Sequence, residues 1–258
     1  MHRITIALAF ALLVLPVASA EQGGTTSKPP LVIAAEDGAG PWGQVDGTGC
    51  GNDIVLAAYA AAKVPARLEV MPYSRAKSGV LAGHYVACFG MAWTEDLKGK
   101  VVFADKPLYS VTAMLVQSLA KPLGASNAKE LASGTRVGTV FEYEYPPAFY
   151  QLVKQGVLMP MPAYGEVMSL KNLDLNRIDA ALVVIDELKN LDYLIAQAGL
   201  EGKVGPAFAL GGQGTYLGFS TAHPQSGYAR RKFNEGFAII AKDGTLKKIL
   251  EAWKNRRP

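Results

Sequence analysis

Along almost its whole length this chain alternates short apolar runs with stretches of helical periodicity, and it does so twice. The first round comprises the strand-like run Leu31–Ala35, the loop Glu36–Pro41, an Ala-rich helix over Ile54–Lys63 capped by Asn52 or Asp53, the strand Arg67–Met71, the helix Ser74–Leu81 and the strand Tyr85–Phe89. Strands joined through helices pair in parallel, so the pattern predicts a mostly parallel sheet with helices on its faces. A breaker, Lys121-Pro122-Leu123-Gly124, is followed by a second round. Its parts are a short helix Asn127–Ser133, a strand Arg136–Val140, a helix Glu144–Gln155, a strand Val157–Met161, a helix Glu166–Leu175, an apolar strand Asp179–Ile185 and a helix Glu187–Ala198. A second breaker, Gly211-Gly212-Gln213-Gly214, leads to a strand at Thr215–Phe219 and two helices, Ser226–Ala241 and Thr245–Trp253. Two breakers imply two crossings, near Ala120 and Gly212. The expected division is lobe 1 over residues 31–119, lobe 2 over 120–212 and a return to lobe 1 over 213–258. Such a chain is hinged.

The first 30 residues do not share this rhythm. His2 and Arg3, the apolar stretch Ile4–Leu15 and the small-x-small sequence Ala18-Ser19-Ala20 read as an export signal over residues 1–20, cleaved after Ala20, with a polar leader over 21–30. The apolar stretch falls short of the roughly 20 residues a spanning helix needs. The mature protein is therefore expected in the periplasm, outside the membrane. Cys50 and Cys88 would there meet an oxidising environment, and the sequence leaves open whether they pair or stay as buried thiols. Three scattered histidines and the absence of a CxxC give no metal-ligand spacing and no nucleophilic pair, so neither a metal nor a cofactor is expected. With 26 Lys+Arg against 22 Asp+Glu the formal charge is only +4 and is scattered, which argues against nucleic acid as a partner.

Several segments, in order, resemble one family. Pro41-Trp42 with Gly47-Thr48-Gly49, Leu81-Ala82-Gly83-His84-Tyr85, Val101-Val102-Phe103-Ala104-Asp105, Arg177-Ile178-Asp179-Ala180-Ala181-Leu182 and Ala222-His223-Pro224 with Asp243-Gly244-Thr245 are similar to the extracellular solute-binding proteins that include the polar amino-acid receptors of bacterial ABC transporters. The resemblance runs from about Leu31 to Trp253. It implies a periplasmic-binding-protein-like type II α/β fold, in which two lobes joined by two crossover strands hold a small polar ligand in the cleft between them. A transporter permease is the partner it implies, and a monomer is the expected state. In that family an Arg follows a Thr-x-x segment and grips the ligand carboxylate; here Trp93-Thr94-Glu95-Asp96-Leu97-Lys98 puts Leu97 or Lys98 at that place, and Glu142-Tyr143 replaces the second lobe's Gly-Thr element.

In open α/β sheets ligands bind beyond the carboxyl ends of the strands. The loops to examine are thus Glu36–Trp42, Pro72–Arg75, Gly90–Lys98, Phe141–Tyr145 and Asp186-Glu187. Arg75 is the expected cation because its planar fork suits a carboxylate, the alternative being a structural pair with Glu36. Tyr73, Trp42 and Trp93 would flank the ligand or pack in the lobe cores. Glu142, with Tyr143 and Phe141 beside it, would meet a cationic or polyhydroxyl group, or would only favour a helix N-terminus. Asp186 is the expected anion for an ammonium group. The candidate ligand set is Glu36, Trp42, Tyr73, Arg75, Trp93, Lys98, Phe141, Glu142, Tyr143 and Asp186. The expected role is capture of an amino acid or related solute, probed against two alternatives: a dehydratase-like enzyme on the same scaffold using Glu142 or Glu36 as general acid, and a module serving a sensor or enzyme complex.

Overall fold

A computed structural model describes residues 29–256. The export signal and most of the expected leader lie outside the described residues. Strands β1 (Leu31–Glu36), β2 (Ala66–Met71) and β3 (Ala87–Met91) alternate with helices α1 (Cys50–Ala61) and α2 (Tyr73–Leu81), and β2, β1 and β3 pair in parallel. Helix α1 starts at Cys50, ahead of the expected Asn52 or Asp53 cap, because the backbone before it turns at Gly49, where a Cβ would lie 2.3 Å from the Trp42 carbonyl. Asp53 accepts instead from the Trp253 indole at 2.7 Å.

Strand β4 (Val101–Phe103) and the ten-residue β5 (Tyr109–Ser118) follow. Lobe 2 holds β6 (Thr135–Val140), α3 (Pro147–Lys154), β7 (Leu158–Ala163), α4 (Glu166–Asp174), β8 (Ala180–Ile185) and α5 (Leu191–Ala198). Strands β6, β7 and β8 again pair in parallel. The 17-residue β9 (Val204–Ser220) then runs the length of the molecule: it pairs with β5 along one half and with β3 and β4 along the other. Helices α6 (Ser226–Lys242) and α7 (Thr245–Lys254) pack back on α1. The strand order is β2-β1-β3-β9-β5-β8-β6-β7, with β4 beside β9.

Strands β5 and β9 are the two crossings. Because β5 pairs with β8 from Thr112 to Val116, it belongs to lobe 2, and the first crossing falls near Tyr109 instead of Ala120. The breaker at Lys121 marks the far end of lobe 2. Antiparallel pairing from Tyr109↔Thr215 to Ser118↔Val204 makes the two connections one ribbon. The helix expected over Asn127–Ser133 is only a single 3-10 turn at Ala128–Glu130.

Each lobe has its own apolar core. Ile33, Ile54, Tyr59, Phe89, Phe219 and Phe233 fill lobe 1, and Leu115, Val137, Leu182 and Phe149 anchor lobe 2. Cys50 and Cys88 are both free and buried, in different apolar clusters, so the pairing left open by the sequence does not form. Burial pushes the Cys50 thiol up to about 12 and the Cys88 thiol up as well, which leaves both as small apolar side chains. Among the described residues no helix is long and apolar enough to cross a membrane.

Candidate functional site

The carboxyl ends of β1, β2 and β3 in one lobe face those of β6, β7 and β8 in the other, and polar side chains converge there from both. Glu36 ends β1, Tyr73 opens α2 after β2, Tyr143 and Glu144 sit in the loop after β6, Glu166 opens α4 after β7, and Asp186 and Lys189 follow β8. Tyr109 of β5 and Gln213 and Thr215 of β9 form the back wall. With Glu36, Tyr143, Glu144 and Lys189 they enclose a cavity of about 30 Å³, room for about one or two waters.

Three hydrogen bonds from an aromatic side chain to a carboxylate tie the lobes across this cleft. The Tyr143 hydroxyl donates to Glu36 Oε1 at 2.5 Å, the Tyr73 hydroxyl to Glu144 Oε2 at 2.5 Å, and Trp42 Nε1 to Asp186 Oδ2 at 2.7 Å. Tyr73 and Tyr143 meet edge to face at 5.1 Å, and Trp42 stacks on Tyr109 at 3.6 Å. An ion pair at the exposed rim, Lys254–Glu187 at 2.6 Å, spans the lobes as well.

Two buried lysines are each clamped by a glutamate. Lys77 lies 2.9 Å from Glu144 and 3.4 Å from Glu142, and donates to the Glu142 carbonyl at 2.9 Å. Lys189 lies 2.6 Å from Glu166, whose other oxygen accepts from the Val184 amide at 2.7 Å. Burial alone would pull the Lys77 ammonium down, but the surrounding Glu144, Glu142 and Asp96 carboxylates together hold it above its ordinary value.

The carboxylates are desolvated. Burial raises Glu36 from 4.5 to about 7, against the lowering effect of the Tyr143 hydroxyl and Lys189. Burial also raises Glu144, opposed by Lys77 and Tyr73, and Asp186, opposed by the Lys189 amide and the Trp42 indole. The Tyr73, Tyr109 and Tyr143 hydroxyls are pushed up mainly by burial and next by nearby carboxylates, so they act as neutral donors.

Of the residues expected from the sequence, Glu36, Trp42, Tyr73, Tyr143 and Asp186 meet in this cleft. Arg75 does not: it is exposed on α2, and the alternative pair with Glu36 is not formed. Arg75 stands at i+2 from Tyr73, which puts them on opposite faces of the helix, whereas Lys77 at i+4 shares the Tyr73 face. Lys98 is exposed and pairs with Glu95 at 3.1 Å, while Leu97 is buried in the lobe core. Trp93 is 55% exposed and lines a separate groove between the lobes, with Tyr145 and Tyr150 on its other side. Phe141 sits at the cleft mouth beside Tyr164, and Glu142 is half-exposed there.

Glu144 was not among the expected residues, because the sequence suggests a helix starting at it. Pro146 and Pro147 hold the preceding residues extended, so α3 begins only at Pro147 and Glu144 reaches into the cleft. Before it, Glu142 takes a left-handed conformation with φ 67°, an unfavourable one for a residue with a side chain. That turn aims its carbonyl at Lys77 and sends Tyr143 and Glu144 inward.

No protein-family model matches the chain, and no curated protein matches it in sequence. Solved structures do match in fold. A histidine kinase sensor domain with similarity to periplasmic binding proteins aligns at TM-score 0.75 and 17% identity, over 88% of this chain and 96% of that one. An ancestral arginine-binding protein bound to arginine gives 0.73 and 19%, over 88% and 99%. The arginine-, lysine-, histidine-binding protein ArtJ from Geobacillus stearothermophilus gives 0.72 and 16%, over 89% and 97%. The chain thus has the periplasmic-binding-protein-like type II fold, two α/β lobes around a cleft. At the level of fold the resemblance read from residues 31–253 holds.

Proposed function

We propose that this chain is an exported solute-binding receptor whose lobes close on a small polar solute, an amino acid or a related compound, and present the closed form to an ABC transporter permease. The observation that carries this reading is the convergence of Glu36, Tyr73, Trp42, Tyr143, Glu144 and Asp186 from both lobes on one cleft beyond the strand ends. A ligand that bridges the lobes favours the closed arrangement by its extra contacts there. The candidate ligand set becomes Glu36, Trp42, Tyr73, Tyr143 and Asp186, joined by Tyr109, Lys77, Glu144 and Lys189. Trp93, Phe141 and Glu142 lie at or beyond the rim, while Arg75 and Lys98 face solvent.

The similarity to a sensor domain supports a second partner, a signalling protein instead of a permease. A buried carboxyl raised to about 7, as Glu36 is, would also suit a general acid. Mass spectrometry of recovered solute separates capture from catalysis: a receptor returns it unchanged.

A thermal-shift panel of amino acids, amines, organic acids and sugars tests the reading. A cleft ligand at 100 times its Kd stabilises the fold by about 2.7 kcal/mol, which raises Tm by roughly 5–10 °C at this size. A panel in which every class leaves Tm unmoved would overturn it.

A further inference from the structure

The charges in the cleft are not balanced. Glu36, Glu144, Glu166 and Asp186 stand against Lys77 and Lys189, so the ionised set carries two negative charges in excess. Both cations are already committed, Lys77 to Glu144 at 2.9 Å and Lys189 to Glu166 at 2.6 Å, each pair almost wholly buried. Pulling a partner away from a buried pair leaves an uncompensated charge and is strongly unfavourable. Among the described residues Lys189 is the one basic side chain that lines the cavity; Lys77 lies behind Glu144, and Arg75 and Lys98 face solvent. A ligand carboxylate would therefore meet carboxylates, an engaged lysine and the uncharged Tyr109, Tyr143, Gln213 and Thr215 side chains, with no free cation to offset its charge.

Glu36 is in the opposite situation. It is 6% exposed, lines the cavity and forms no ion pair; one oxygen accepts from Tyr143, and Oε2 has no hydrogen-bond partner among the described residues. Asp186 satisfies its oxygens with the Leu188 and Lys189 amides and the Trp42 indole, so it is the lesser candidate for a ligand ammonium. Tyr109 and Tyr143 line the same cavity, and aromatic rings beside a carboxylate add to the attraction for a cation.

We infer that the solute carries an ammonium or guanidinium group and no carboxylate, its cation seated on Glu36, while the chain's own Glu144 takes the anion seat formed by Tyr73, Lys77 and the Ala92 amide. This deepens the receptor reading and rests on it. The amine class differs from the amino acids that the family resemblance implies by the single group the cleft has no free cation to receive.

Calorimetric titration of the full-length mature protein with matched pairs tests it: putrescine against ornithine and agmatine against arginine, each differing only in the α-carboxylate. At pH near 8, where Glu36 is ionised, the amine of at least one pair should bind more tightly than its amino acid by about tenfold or more. Glu36→Gln, isosteric and checked for folding by its melt, should weaken that amine by a similar factor. Glu144→Gln, which leaves Lys77 only its longer 3.4 Å pair with the half-exposed Glu142, should move the preference towards the amino acid. The wild-type comparison needs no variant: if the amino acid binds as tightly as its amine, the inference fails while the receptor reading stands. If none of the four binds but an organic acid or sugar shifts Tm, the inference likewise fails alone. If no solute of any class binds, both fall.

Discussion

Lys77 shows how much a single helical position decides. It sits four residues after Tyr73 on the buried face of α2, with its ammonium held by Glu144, Glu142 and a backbone carbonyl. Lys77→Met should remove that cation and strand Glu144, a change that costs about 3–5 kcal/mol for a buried pair. Urea denaturation measures it directly; the double variant Lys77→Met/Glu144→Met should lose less than the single one. Equal loss in both would mean the pair contributes little beyond packing. Sequence reasoning favoured Arg75 because guanidinium suits carboxylates, but residue type does not fix helical phase. The Tyr73 phase was readable, and counting i+4 from it would have found Lys77. Glu144 was hidden by its context. Its helix-like surroundings masked the effect of Pro146-Pro147, although the restraint that proline places on preceding residues was in plain view.

At the scale of elements, the lobes are held by close backbone approaches that only glycine permits. Helices α1 and α6 cross where Gly236 faces Ala58, and a Cβ at Gly236 would stand 1.7 Å from the Ala58 carbonyl oxygen. Gly236→Ala should force the helices apart and cost about 1–3 kcal/mol or more, seen as a Tm lower by roughly 4 °C or more. An unchanged melting temperature would show that the helices slide freely. The alternating pattern of strands and helices was legible because parallel strands buried on both faces are continuous apolar runs, as in Ala180–Ile185. The first half of β9, Val204–Leu210, was not read as strand, because Gly205, Pro206, Gly211 and Gly212 break its periodicity. Its order comes from the β5 ladder alongside it, a contact about 90 residues distant in the chain. The crossing was misplaced for the same reason: β5 looks like a continuation of lobe 1 until its pairing with β8 is known.

For the whole molecule, the two-strand ribbon of β5 and β9 joins two lobes whose facing edges are polar and mostly anionic. Across the cleft Glu36 meets Tyr143, Tyr73 meets Glu144 and Trp42 meets Asp186. The charged and titratable groups that act on Glu36 are Lys189, Glu166, Asp37 and Tyr143, with Tyr73, Tyr109 and Glu144 also at the cleft. Because its folded value is raised above that of the unfolded chain, the folded state holds the proton more tightly. Its contribution to stability is present at low pH and is lost as the pH climbs from 4.5 through about 7. A cationic solute reverses this by stabilising the ionised form, so binding and proton release are linked. The measurement that tests the account most directly is an NMR titration of the Glu36 side-chain carboxyl, assigned with Glu36→Gln, in the presence and absence of saturating putrescine or agmatine. The free protein should titrate near 7, and the bound amine should move the midpoint well below it. A midpoint near the ordinary 4.5, or one that no amine displaces, would contradict the account.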